Sequence, residues 1–121
     1  MRKFAIGVLG FAVLLFGCES FERRAARELL RLRKAHEALL EEAADQYLDL
    51  QARGKGAEAE RFREAVLALD GKLRTIEREA AELLFSYLSM RGDDDRLRLE
   101  EKLALLMELV SALAQTVRRG S

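Results

Sequence analysis

The chain has 121 residues, with 21 basic against 21 acidic side chains, one histidine, one cysteine, and no proline or tryptophan. Zero formal charge excludes the net basic field that draws a protein to nucleic acid, and a lone cysteine excludes an internal disulfide framework. Ala, Leu, Glu and Arg dominate; these are strong helix formers, and without proline nothing interrupts the helical ladder.

The first element is a leader. Arg2 and Lys3 precede a continuous apolar run from Phe4 to Phe16, closed by Gly17 and Cys18. Those 13 residues fall short of the roughly 20 that span a bilayer. A positive start, a short apolar run and a small residue before a processing point are the parts of a secretory signal. Leu15-Phe16-Gly17-Cys18 resembles the lipobox of bacterial lipoproteins, with a leucine three residues before the cysteine and a small residue just before it. Phe16 stands where a smaller residue is usual. The resemblance covers the first 18 residues and implies that residues 1–17 are a signal peptide. It also implies that Cys18 becomes the mature N-terminus, carrying a diacylglycerol on its sulfur and an acyl chain on its amino group. Each buried methylene contributes about 0.8 kcal/mol, so two or three chains anchor stably where one does not. The mature chain, residues 18–121, carries two net negative charges once Arg2 and Lys3 are gone, and its length suits one small domain.

Three helices follow. The first is expected over about 19–53, with an apolar stripe of Leu29, Leu32, His36, Leu39, Ala43, Tyr47 and Leu50 at spacings of three and four. Gly54-Lys55-Gly56 is its stop. The second is expected over about 57–90. Phe62, Val66, Leu69, Leu73, Ile76, Ala80, Leu83, Tyr87 and Met90 hold one register across Asp70-Gly71. That register predicts a continuous helix accepting about 1 kcal/mol for the glycine, with a kink at Asp70-Gly71 as the alternative. Gly92 is expected to stop it, and one of Asp93–Asp95 to cap the third helix. The third runs over about 94–118 with Leu99, Leu103, Leu106, Val110, Leu113 and Val117 in its seam. Leu105, Met107 and Leu109 broaden that seam, which predicts that this helix is the most buried. Gly120-Ser121 should fray.

Short connections make neighbouring helices antiparallel, so the predicted fold is all-α, an up-down-up three-helix bundle behind the signal peptide. The basic first half of helix one is expected to lie beside Glu77, Glu79, Glu82 and the second-turn aspartates. Its acidic second half is expected beside Arg61, Arg63, Arg118 and Arg119. At 1.5 Å per residue helix one spans about 50 Å and helix three about 37 Å. Helix three should therefore stop short of the distal hairpin, leaving Tyr47, Leu48, Leu50 and Phe62 as a candidate partner-binding tip; packing of these residues against each other across the hairpin is the competing reading. Arg23, Arg24, Arg27 and Arg31 begin within a few residues of Cys18 and are candidate contacts for anionic head groups. Pairing with acids of helices two and three is the competing reading.

Chemistry is sparse. His36 falls on the apolar stripe, and one histidine without cysteine partners does not make a metal site. Ser86, Ser89 and Ser111 lie in helical patterns without a glycine-rich elbow, and Gly54-Lys55-Gly56 lacks the flanks of a phosphate loop. The sequence predicts no catalytic residues, no metal and no cofactor beyond the lipid on Cys18. The expected role is a non-enzymatic envelope lipoprotein that works by protein–protein contact. It would sit on the periplasmic side of a membrane, with an unidentified envelope protein as partner and no nucleic acid. In such lipoproteins an aspartate after the cysteine signals inner-membrane retention; Glu19 here favours the outer membrane. Three alternatives stand beside this. One is a pilotin-like or chaperone-like helper for an outer-membrane assembly. Another is a coiled-coil spacer resembling the murein lipoprotein, though the chain ends Arg118-Arg119-Gly120-Ser121 and not on the lysine that family uses for wall attachment. The last is a homo-oligomer joined through helix three.

Overall fold

The computed structural model describes residues 20–120; the leader and Cys18 lie outside the described residues. Those residues form an all-helical bundle: α1 (Phe21–Ala52), α2 (Gly56–Met90) and α3 (Asp93–Gly120). Each helix packs on both others.

The helix ends follow from local chemistry. Ser20 caps α1, its Oγ accepting from Arg23 N at 3.3 Å. At the other end Gly54 takes φ +76°. Lys55 N donates to Leu50 O at 2.9 Å and Gly54 N to Gln51 O at 3.0 Å, the paired closure that a left-handed glycine permits. The second turn differs from expectation. Arg91, not Gly92, takes the left-handed conformation (φ +53°), a strain of roughly 1–2 kcal/mol for a residue with a Cβ. Two residues must reverse the chain here, and Arg91 offsets the strain by ion-pairing with Glu22 of α1 and lying over the Tyr87 ring. Gly92 opens α3 instead, its carbonyl accepting from Arg96 N at 3.1 Å. The aspartates therefore sit inside the first turn of α3, where the helix dipole favours them, rather than at the cap.

α2 runs unbroken through Asp70-Gly71. The interior is built in sevens: Leu29, His36, Ala43 and Leu50 on α1; Ala59, Val66, Leu73, Ala80 and Tyr87 on α2; Leu99, Leu106 and Leu113 on α3 are all buried. A seven-residue repeat keeps one seam facing its partners, and each fully buried leucine contributes about 1.5–3 kcal/mol. α3 supplies much of the deepest core through Leu99, Leu106, Leu113 and Val117. It is not buried more widely than the others, because Leu105 and Met107 face outward. Met90, expected in the seam of α2, is exposed, since the helix reaches its end there.

α3 also extends further than predicted. It continues through Gly120, which lies so close to the distal hairpin that a Cβ there would fall 2.7 Å from Phe62 Cδ1 and 2.9 Å from Gln46 Oε1; Ser121 lies outside the described residues. At 28 residues α3 is about 42 Å long, against the 37 Å expected.

Candidate functional site

Three places on the bundle carry more than packing. The first is the root, where α1 begins. Phe21 meets Tyr87 edge-on, ring centroids 5.1 Å apart, and Arg96 of α3 stands 4.6 Å over the Phe21 ring. Glu22 is tied to Arg91. A hydrogen bond within its own backbone turn, followed by that arginine, holds the Glu22 carboxyl below its ordinary value. One aromatic pair, one cation–π contact and one ion pair thus pin the first turn of α1 to the end of α2 and the start of α3. Beside them lies a shallow cleft of about 460 Å³, bordered by Phe21, Arg24, Arg27, Glu28, Arg96 and Leu103.

The candidate head-group arginines sit on this side of α1. Arg23, Arg24, Arg27 and Arg31 are all exposed. Arg31 pairs with Glu28 of its own helix, and Arg27 is also engaged. Of the side chains in the expected cross-helix charge scheme, Arg27 and Arg118 are both engaged, and four others have the following partners. Glu77 meets His36, Glu79 meets Lys102 of α3, Glu82 faces Arg78 and Arg63 faces Glu60. Residues three or four apart on one helix reach each other more easily than they reach a neighbour.

The second place is a polar layer midway along the bundle. His36 is 4% exposed. Its Nε2 lies 2.7 Å from Asp70 Oδ1 and its Nδ1 3.0 Å from Glu77 Oε2. Arg74 Nε donates to both Asp70 oxygens, at 3.1 and 3.0 Å. A ring bearing two N–H groups donates to both carboxylates; a ring bearing one turns a lone pair toward the other. Both ring nitrogens thus lie within hydrogen-bond distance of a carboxylate. Among the described residues no group of three His, Cys, Asp or Glu side chains is placed to hold a metal ion. The sequence placed His36 on the apolar stripe of the first helix; it did not mark Asp70 and Glu77 as its neighbours. Their seven-residue spacing, two turns of one face, was the available signal.

The third place is the distal tip. Leu50 and Phe62 are buried, Phe62 with Gly120 of α3 against it. Tyr47 is half-buried, with its hydroxyl donating to Glu60 Oε1 at 2.8 Å and accepting from Gln51 Nε2 at 2.8 Å. Of the four tip residues, Leu48 alone is exposed, at 60%. Conversely, sequence reasoning passed over Phe85, Leu88 and Leu97, which are exposed near the root together with Met90. An aromatic standing off the seam, as Phe85 does, was the cue.

No helix among the described residues is long and apolar enough to cross a membrane. No known protein family, curated protein or solved structure matches the chain.

Proposed function

We propose that this chain is a lipid-anchored, non-enzymatic envelope protein that acts through protein–protein contact on the periplasmic side of a membrane, with the outer membrane favoured by Glu19. The observation that carries the reading is Leu15-Phe16-Gly17-Cys18, preceded by Arg2, Lys3 and an apolar run, with a capped helix beginning only three residues after the cysteine, at Phe21. In this reading residues 1–17 are removed and acylated Cys18 tethers the bundle by its root. The helices run up, down and up, a course supported by the pairing of Glu22 with Arg91 and the closeness of Gly120 to Phe62. The partner surface lies on the outer faces, with Leu48 its exposed apolar point at the far end. Mass spectrometry of the protein from native membranes tests this. The reading expects a chain starting at Cys18 with acyl mass on that residue, and an unprocessed chain free of acyl groups overturns it.

A second reading is favoured by α3. Leu97, Leu105 and Met107 are exposed on it, and Ala104, Met107, Ser111 and Ala112 border a shallow depression. A second copy packed there would make the protein a homo-oligomer or a coiled-coil spacer. Light scattering across a concentration series decides: a constant monomer mass removes it.

A further inference from the structure

Nine large apolar side chains are exposed among the described residues, and they are not evenly spread. Phe85 (72%), Leu88, Met90 (78%) and Leu97 (59%) all lie at the α2–α3 corner. Phe85 is five residues before the end of α2 and Leu97 four residues past the start of α3, so all four fall within about 8 Å of that end along the helix axes.

Their angular arrangement says what kind of surface they suit. Phe85 and Leu88 are three apart and share a flank of α2, whereas Leu88 and Met90 are two apart and face away from each other. Leu97 is two residues from Leu99, which is 1% exposed, and so points out of the bundle. The four ring the end at one level instead of forming a stripe along a helix. A partner helix lying in a groove reads a stripe; a plane meeting the bundle end-on reads a ring.

The chain outside the described residues says what plane this is. Cys18 is two residues before Ser20, a reach of at most about 7 Å. The first turn of α1 is fastened to this same corner by Phe21–Tyr87 and Glu22–Arg91. Acyl chains on Cys18 would therefore enter the bilayer beside Met90 and Phe85. The charges at the corner are of both signs: Arg91 pairs with Glu22, Arg98 with Asp94 and Arg96 with Glu100, while Asp95 accepts from the Ser86 hydroxyl and Asp93 is exposed. The corner thus presents apolar contact and no strong field of either sign.

Building on the lipid-anchor reading, we infer that the α2–α3 corner is a second membrane contact, in which Phe85, Leu88, Met90 and Leu97 enter the head-group and upper acyl region and hold the bundle upright on its tether. The chain contains no tryptophan, so single substitutions report cleanly. Full-length protein carrying Phe85→Trp, Met90→Trp or, at the far end, Leu48→Trp is expressed, extracted and reconstituted into phosphatidylcholine vesicles with and without bromine on the acyl chains. Surfaces of this kind sit about 5–10 Å into the boundary, so emission from Phe85→Trp and Met90→Trp should fall by roughly half or more in brominated lipid. Leu48→Trp should be unaffected. The Cys18 peptide from the same preparations is weighed. Acylated Cys18 with no quenching at Phe85→Trp and Met90→Trp overturns the corner contact and leaves the anchor standing. Equal quenching at Leu48→Trp overturns the upright arrangement, and blue-shifted emission without quenching shows the corner covered by protein instead. Unmodified Cys18 overturns the anchor reading and the corner contact with it.

Discussion

Replacing His36 by leucine is the sharpest test of how the bundle is held. The ring sits between Asp70 Oδ1 and Glu77 Oε2 at 2.7 and 3.0 Å. Leucine fills similar space but donates nothing. Asp70 keeps Arg74 as a partner; Glu77 loses His36. Removing one member of a buried charged set typically costs about 3–5 kcal/mol, because the remaining charge is stranded. The two carboxylate side chains keep 13% and 12% of their exposure and can draw some solvation back. The expected loss is therefore at the low end, about 3 kcal/mol, or roughly 12–24 °C in Tm at 4–8 °C per kcal/mol for a domain of this size. Urea unfolding of a chain starting at residue 18 with Cys18→Ser, followed by helical circular dichroism, measures it. The triple variant His36→Leu/Asp70→Ala/Glu77→Leu removes the stranded charges together with the ring. It should recover to within about 1 kcal/mol of the parent, since buried ionic sets are often replaceable by apolar residues at little cost. If His36→Leu unfolds at the parent's midpoint, the carboxylates swing out to water freely and the layer contributes nothing.

Two glycines should respond oppositely to alanine. Gly71 has open space around its Cβ position in mid-helix, so Gly71→Ala should stabilise by about 0.5–1 kcal/mol, whereas Gly120→Ala should destabilise by about 1 kcal/mol as Phe62 is displaced; thermal melts of the pair give both signs. Leu48→Ser should leave stability within about 0.5 kcal/mol of the parent, while Phe62→Ala should cost about 3 kcal/mol. A partner lost on Leu48→Ser is accordingly lost at the surface, and one lost on Phe62→Ala is lost through unfolding. Glu22 has its carboxyl held below the ordinary 4.5, so its contribution is present above that pH and disappears as pH falls through the lowered value. Between pH 5 and pH 3 the parent should lose more stability than Glu22→Gln; parallel acid titrations of the two would refute this.

The number, type and approximate limits of the helices were legible because the apolar spacing keeps a single period over long stretches, strongly enough to carry α2 across Gly71. The ends were less so. Arg91 takes the left-handed position because Glu22 and Tyr87 receive its side chain, and both partners are brought to it by tertiary packing. α3's true reach depends on Gly120, whose missing Cβ lets it approach Phe62; a pattern of apolar positions does not register a close approach made by hydrogen. Phe62 lies against Gly120 for that reason and Leu50 is buried with it, which is the packed reading of the tip, while Leu48 stays exposed. His36 was legible as a buried stripe residue, yet its carboxylates are on another helix, and only the alignment of the two helices unites them. The leader resemblance concerns Cys18, outside the described residues, and stands on sequence alone.

The columns of sevens have a consequence for how the helices find their alignment. Sliding α1 along α2 by one repeat would lay Leu29 or Ala43 where His36 now lies, and greasy contacts would survive almost unchanged. Such a shifted hairpin would keep the imidazole beside only one of its two carboxylates, with Arg63 or Leu84 in place of the other, and would leave the second carboxylate opposite Leu29 or Ala43, which donate nothing. The polar layer thus acts as the notch in an otherwise repetitive ruler, rejecting the wrong offsets that a uniform seam would accept.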